Sequence, residues 1–422
     1  MGTEQQITYF LRELANTGPH ADPGRRAAAA KGLGRIGRPE HAGALAEAAD
    51  DPVPAVRAAA ALGLGRLGVP EAGGTVLPGL MRDTGPWVRR RASVAAIRLK
   101  LTGRTVTEAF VGLLDDPDHH LRINALVGLY ALGVTGDAAA VSRLLDDPRG
   151  AVWGRARTLL YRFRDDPAVR AQVIRTAREG EGAARARALE MLPRRCGERL
   201  LDSLLTGLRD PSPEVRYAVA SRLLNLERPS LRDDLVEALR TERDPEVASL
   251  LLSGLGWRGE RRVTGLAVRW LGDPRAGRWA ATALGHIGTN TAGEHLRGAL
   301  TDAALPASTR GAAAVAVGRA GGRDAVWLLI PLLGDPGAEV RAGAVEGLGE
   351  LVHDGLRFWE RRPVADALTT HLASGRDATW RTCNALDGLD EALPALRRLA
   401  DETSSAEVRA AARKLLDAAE AD

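Results

Sequence analysis

An arginine recurs about every 31 residues along almost the whole of this 422-residue chain, at Arg26, Arg57, Arg89, Arg122, Arg185, Arg216, Arg310, Arg341, Arg381 and Arg409. In five places an aspartate stands six residues upstream: Asp51, Asp83, Asp116, Asp210 and Asp335 precede Arg57, Arg89, Arg122, Arg216 and Arg341 in this way. Glu179 repeats the arrangement before Arg185. A fixed period of this length means one supersecondary unit copied end to end, each copy burying its apolar face only against its neighbours. Length alone would suggest two or three globular domains. The period predicts instead one continuous stack over residues 1–422, with a longer, irregular repeat around 350–380.

The stretch Asp51–Gly68 shows how one unit folds. Asp51-Pro52 is a helix-start signal, because aspartate caps free amides and proline tolerates a first turn. From Val56 the small and apolar positions are Val56, Ala60, Ala61, Gly63, Leu64 and Leu67, one stripe of a 3.6-residue period. Gly68 ends the helix. A shorter helix from Pro70 to Met81 follows, and the next unit restarts at Asp83, so each unit reads as an antiparallel helix pair. The arginine-bearing helix can be traced about 13 times, including Arg25–Gly37, Val88–Lys100, Val215–Glu227 and Val340–Val352. Between Arg341 and Arg381 the spacing widens to about 40 residues, with the extra length around His353–Arg362. An aspartate six before an arginine can reach it in its own unit or the next, giving a ladder of charge-assisted hydrogen bonds. Trp153, Ala248 and Gly277 interrupt the arginine series, which leaves Asp147, six before Trp153, without its expected partner.

The string Asp-Pro-x3-Val-Arg-x2-Ala-x3-Leu-Gly-x-Leu/Ile-Gly, followed closely at residues 51–68 and 335–349, resembles the HEAT repeat, in particular the short form first associated with phycobilisome lyases. The resemblance covers nearly the whole chain. It implies an all-α, right-handed α-solenoid whose second helices line a concave face. At ~8–10 Å per stacked helix, about 13 pairs would trace an arc on the order of 100–130 Å. Such repeats serve scaffolds, adaptors, lyases and some DNA glycosylases, so the resemblance implies fold more than function.

Several motifs that look chemical are architectural. Gly32-x-Gly34-x-x-Gly37 and Gly63-x-Gly65-x-x-Gly68 fit a dinucleotide fingerprint, but they fall late in a helix with no preceding strand, where they let helices approach. The eight histidines form no zinc motif, and His119-His120 reads as a polar helix start. Cys196 and Cys383 are too far apart in sequence to suggest a ligand pair or disulfide framework. The N-terminus has no apolar signal region and no apolar run approaches 18 residues, so a cytoplasmic, membrane-free protein is the expectation. Neither cofactor nor metal is expected. Lys31, Lys100 and Lys414 are the only lysines, and heavy arginine, alanine and glycine use looks like the coding bias of a GC-rich bacterium. Residues 1–210 carry 31 basic and 24 acidic groups, against 27 and 30 in residues 211–422. The first half is thus the one that favours an anionic partner.

Function is to be sought at positions of the second helices that the repeat core leaves free, equivalent to residues 58, 59, 62 and 66. In the first half these include Arg35, Arg66, Arg90, Arg91, Arg98, Arg155, Arg162 and Arg187, a stripe of guanidinium groups. Further along they include Tyr217, Asn225, Trp257, Arg278, Trp279 and His286, then Glu346 and Glu350. Tryptophan and arginine are enriched at binding hot spots. The residues expected to contact a partner are therefore Arg66, Arg90, Arg91, Arg98, Arg155, Arg162, Tyr217, Trp257, Arg278, Trp279 and His286. No convergent catalytic set appears, which points to a scaffold or adaptor gripping another protein through the concave face. The alternative is nucleic-acid binding, including a DNA glycosylase relative, with arginines tracking phosphates and tryptophans stacking a base. In this register no acidic residue falls beside Trp257 and Trp279 to serve that chemistry. A lyase activity is implied by the resemblance alone and has no site that can be named.

Overall fold

The computed structural model describes residues 2–18, 20–193, 198–226 and 228–421. Among them are 26 α-helices and no strand. They pair as 13 antiparallel hairpins, matching the number read from the periodicity. The contacts group the chain into two compact units, Met1–Cys196 and Gly197–Asp422, where the period alone predicts one continuous stack. Cys196 and Glu227 lie outside the described residues.

In the first unit the second helices are Pro23–Ile36, Pro54–Leu67, Pro86–Arg98, His119–Leu132, Gly150–Arg162 and Gly182–Met191. In the second they are Pro213–Leu224, Pro245–Trp257, Gly277–Ile287, Ala307–Ala320, Ala338–Asp354, Thr379–Leu386 and Ala406–Ala421. The apolar stripe works as the period requires: Val56, Ala60, Ala61 and Leu64 are buried, and Gly68 closes its helix in the left-handed conformation. Within each unit consecutive second helices, apart from Gly150–Arg162 and Gly182–Met191, pack on one another more closely than the first helices do, so they form the inner layer. The approach is backbone to backbone at the glycines. A Cβ placed on Gly34 would lie 2.4 Å from Cα of Gly63, and one on Gly318 would lie 2.2 Å from the carbonyl oxygen of Gly347. Gly32, Gly34, Gly63 and Gly65 of the dinucleotide-like strings are therefore packing residues, and Gly37 and Gly68 cap their helices.

The arginine series forms a ladder, and its geometry corrects one expectation. Arg57 donates through Nε and Nη2 to Asp83 of the following repeat, at 2.7 and 3.0 Å. Its remaining Nη1 donates to the main-chain carbonyls of Asp51 and Pro52 in its own repeat. The six-residue spacing thus encodes a contact to the aspartate's carbonyl, while the carboxylate serves the arginine before it. The same bidentate or single bridge joins Arg26 to Asp51, Arg89 to Asp116, Arg122 to Asp147, Arg216 to Glu242, Arg310 to Asp335 and Arg341 to Asp377. Asp147 consequently has a partner, Arg122, despite Trp153 standing six residues after it. All of these carboxylates except Asp377 also accept from the amide two residues on, as Asp51 does from Val53 at 2.8 Å and Asp335 from Gly337 at 2.8 Å. That turn sets up the helix, which begins at Pro54 and not at the Asp-Pro step itself.

The long repeat keeps the ladder intact. Arg341 crosses to Asp377, 36 residues later, at 2.6 and 2.8 Å. The extra residues lengthen both helices of a hairpin, Ala338–Asp354 and Phe358–Ser374, each of 17 residues. Phe358 and Trp359 stand at its exposed bend.

Burial opposes ionisation of Asp83, Glu242 and Asp335, yet bonds from arginine and backbone amides outweigh it and hold all three below their ordinary pKa. The Arg341 hydrogen bond does the same for Asp377. These groups bind a proton less readily folded than unfolded. The stability they contribute is whole above the unfolded carboxylate range and is lost as pH falls through it toward their folded values. Thermal midpoints measured from neutral pH downward should drop most steeply below about pH 4.5. Asp83→Asn should lower the neutral midpoint and flatten that drop. A second test uses Asp51, whose side chain is 4% exposed against an Arg26 side chain at 7%. Asp51→Ala leaves a buried, unpaired guanidinium and should cost ~3–5 kcal/mol. Hydrogen exchange should show that loss concentrated in the helices Pro23–Ile36 and Pro54–Leu67.

Candidate functional site

Stacking consumes one face of each second helix and leaves the positions equivalent to 55, 58, 62 and 66 on the inner side. In the second unit these rows line one open groove of about 420 Å³ across Gly277–Ile287, Ala307–Ala320 and Ala338–Asp354. Its floor is small and apolar, from Gly311, Ala312, Val315, Ala342 and Gly343. Its walls are charged, from Arg278, Arg319, Arg381, Glu339 and Glu346. Arg319 bridges to Glu350 at 2.7 Å. Small floor residues arise from the same close helix approach that the glycines permit, so packing geometry itself creates a surface on which another backbone could rest.

Beside this groove lies the aromatic cluster. Trp257, at the end of its helix, is 74% exposed, and its ring meets the edge of His286 with centroids 5.2 Å apart. Trp279 is 37% exposed, with the Arg278 guanidinium 5.2 Å from its ring centre. Tyr217 is also exposed. Burial, aided by the charge of Arg319, pushes the His286 pKa below its ordinary value and favours the neutral ring. Trp257 further overhangs a pocket of about 250 Å³ lined by Leu223, Leu224, Pro229, Leu235, Arg228, Arg232 and Arg258. Arg258 is anchored there by bonds to the carbonyls of Gly254 and Leu224.

In the first unit Arg66, Arg91, Arg98, Arg155 and Arg162 are exposed, and Arg90 is half-buried with its guanidinium 5.6 Å from the Trp87 ring centre. Arg155 donates to the carbonyl of Ala151, and Arg162 donates to that of Tyr130 while lying 4.1 Å over its ring. None of these six takes part in an ion pair among the described residues, whereas seven arginines of the repeating series are joined to carboxylates. Two expectations change. Arg187 turns inward, donating to the carbonyl of Leu145 and stacking 4.2 Å over Trp153, so it leaves the stripe. The row equivalent to residue 59 is mixed, since Ala59 and Ala218 are buried between helices.

Sequence reasoning passed over Trp87, Arg319 and Arg381. Arg319 was recoverable, because the register puts it on row 66, whereas Trp87 stands on row 55, outside the rows read as free, and Arg381 belongs to the repeating series itself. Arg228 and Arg232 follow a helix end, where no period applies. Asp118, His119 and His120 bring three possible ligand atoms within 4.8 Å of one another. Asp118 is already the cap of the helix that His119 opens, accepting from the His120 amide at 2.9 Å. None of the described helices is long and apolar enough to cross a membrane.

These observations define an all-α solenoid of helical hairpins with open inner faces. The chain belongs to the HEAT-repeat proteins: that family's profile matches residues 10–98, 175–251 and 232–307, more than half its length. The match is to HEAT repeats at large. No curated protein matches the sequence. Among solved structures, importin beta in a polyethylene glycol condition is similar over 98% of this chain and 71% of its own, with TM-score 0.61 and 13% identity. Kap95p in complex with RanGDP gives TM-score 0.53 and 13% identity, over 98% of this chain and 65% of its own. The karyopherin Kap121p bound to the extreme C-terminus of the phosphatase Cdc14p gives TM-score 0.53 and 12% identity, over 98% and 49%. The chain thus spans from about half to 71% of these proteins. At such identities the likeness is one of fold.

The neutral state of His286 has a direct check. Its proton NMR titration should have a midpoint below 6.5, the ordinary value. Trp257→Ala, by exposing the ring, and Arg319→Ala, by removing a like charge, should each move that midpoint up.

Proposed function

We propose that this HEAT-repeat chain is a non-catalytic scaffold or adaptor that holds another protein against the inner faces of its helix pairs. The observation that carries the reading is the division of its charged and aromatic side chains. The repeating arginines are largely spent on holding consecutive repeats together. The inner-row arginines and the large rings of Trp257 and Trp279 are left at the surface, where folding makes little use of them. Exposed tryptophan and arginine beside a shallow apolar floor is the composition of a protein-binding hot spot. A karyopherin of the same fold holding the end of a phosphatase chain supports the idea that such a face can take a polypeptide. The proposal includes a cytoplasmic location. Its contact residues are those expected from the register: Arg66, Arg90, Arg91, Arg98, Arg155, Arg162, Tyr217, Trp257, Arg278, Trp279 and His286.

The test is affinity capture from an extract of the source cells, comparing the native chain with a Trp257→Ala/Trp279→Ala variant of unchanged helical content and melting temperature. Truncating two hot-spot rings should each cost about 2 kcal/mol or more in affinity. Recovery of the specifically bound protein should therefore fall at least tenfold. Equal recovery by native and variant chains would remove those tryptophans from the binding surface and the reading with them.

A further inference from the structure

We infer that the inner face of the first unit, across the helices Pro54–Leu67, Pro86–Arg98 and His119–Leu132, docks an acidic amphipathic helix of a protein partner. The inference deepens the scaffold reading and rests on it.

Three features converge on this chemistry. First, rows 55, 58, 62 and 66 of these three helices contain no acidic residue. Arg66 and Arg98 occupy equivalent places on consecutive helices, Arg90 lies nearby, and none is in an ion pair. Second, row 62 between them is aliphatic: Leu62, Val94 and Val127 succeed one another along the stack. Val94 is 48% exposed, and Leu62 and Val127 are half-exposed. The face is therefore an apolar strip bordered by free guanidinium groups.

Third, the spacing suits a helix. Consecutive second helices lie ~8–10 Å apart, and one heptad of a helix laid along the stack rises about 10.5 Å. Glutamates seven residues apart would meet Arg66 and Arg98 on the first two helices, with the leucines of the same docked helix lying on Leu62, Val94 and Val127. Helix-in-groove recognition reads anchors in this manner, and arginine accepts carboxylates through paired donors. A nucleic acid could use the arginines, but the aliphatic strip offers nothing to a phosphate backbone. The strip is what assigns the face to a polypeptide.

The experiment measures fluorescence anisotropy of a labelled peptide of about three heptads, with leucine at the a and d positions and glutamate at e and g. Controls are the same peptide with lysine for glutamate, and a single-stranded oligothymidylate of similar charge. The full chain should bind the acidic peptide, lose affinity as salt rises, and ignore the lysine peptide. Arg66→Glu/Arg98→Glu and, separately, Val94→Asp should each weaken binding at least tenfold, while circular dichroism stays unchanged because all three side chains are exposed. Absence of acidic-peptide binding at low salt overturns the inference. So does tighter binding of the oligonucleotide together with indifference to Val94→Asp, which would make the face a phosphate-binding surface. Either outcome, with the Trp257/Trp279 capture result intact, removes the acidic helix and leaves the scaffold reading standing. Loss of that capture result alone leaves this assignment as a local property of the first unit.

Discussion

A guanidinium that reaches forward into the next repeat holds the ladder-bearing repeats in register. Each such arginine joins two turns, donating to the carbonyl of its own and to the carboxylate of the one that follows, as Arg57 does with Asp51 and Asp83. The carboxylate in turn braces the amide two residues ahead of it. Three backbone and side-chain partners are satisfied at once by one ion pair, mostly shielded from water. In a low-dielectric setting such pairs are costly to break singly, so the pair specifies how one repeat sits on the next while the alanine and leucine stripe supplies the burial.

The periodicity made the fold legible because local and tertiary requirements coincide in this architecture. The same Asp-Pro-x3-Val-Arg string marks the turn, the helix start and the inter-repeat contact, so about thirteen helix pairs can be counted from the residues alone. The direction of the ladder was not legible. A six-residue interval is compatible with a side-chain pair inside one repeat, and only the fold shows that the interval measures a carbonyl contact. Glu242 and Asp377 escaped notice for that reason. Glu242 precedes Ala248, not an arginine, and Asp377 stands four residues before Arg381, yet both close a bridge from the preceding repeat.

The candidate site was legible in its rows and less so in its members. Register placed Trp257, Trp279 and Arg98 on open faces correctly, since exposure follows from the helical period. It misplaced Arg187, because a long side chain can turn back over a neighbouring ring, and Trp153 provides that ring. Arginine thus has two fates here: at the ladder position it is bound into the structure, and elsewhere on the same helices, as at Arg66 and Arg98, it stays exposed outside any ion pair among the described residues. Charge composition alone cannot separate the two. The first half of the chain looks only mildly basic in total, although the inner rows spanning its second to fourth repeats contain no acid.

The gaps in the arginine series have a consequence for how the repeats are tied together. At Gly277 a side chain is excluded, since a Cβ there would lie 2.3 Å from Thr309 and 2.5 Å from the carbonyl of Leu271. Ala248 is likewise wholly buried. At these two successive repeats the ladder bridge is missing, and the repeat of Ala248 is tied to the next through the first helices instead, where Arg262 pairs with Asp233 at 2.6 Å and Arg269 donates to the carbonyl of Arg240. An ion pair resists rotation as well as separation, whereas apolar contact resists separation chiefly. Resistance to rotation between the repeats of Ala248 and Gly277 therefore comes from the first helices, through the Arg262–Asp233 pair, and not from the helices that bear Trp257, His286 and Trp279. That wall of the groove is tied from behind, which leaves the face bearing Trp257 and Trp279 clear of the side chains that do the tying.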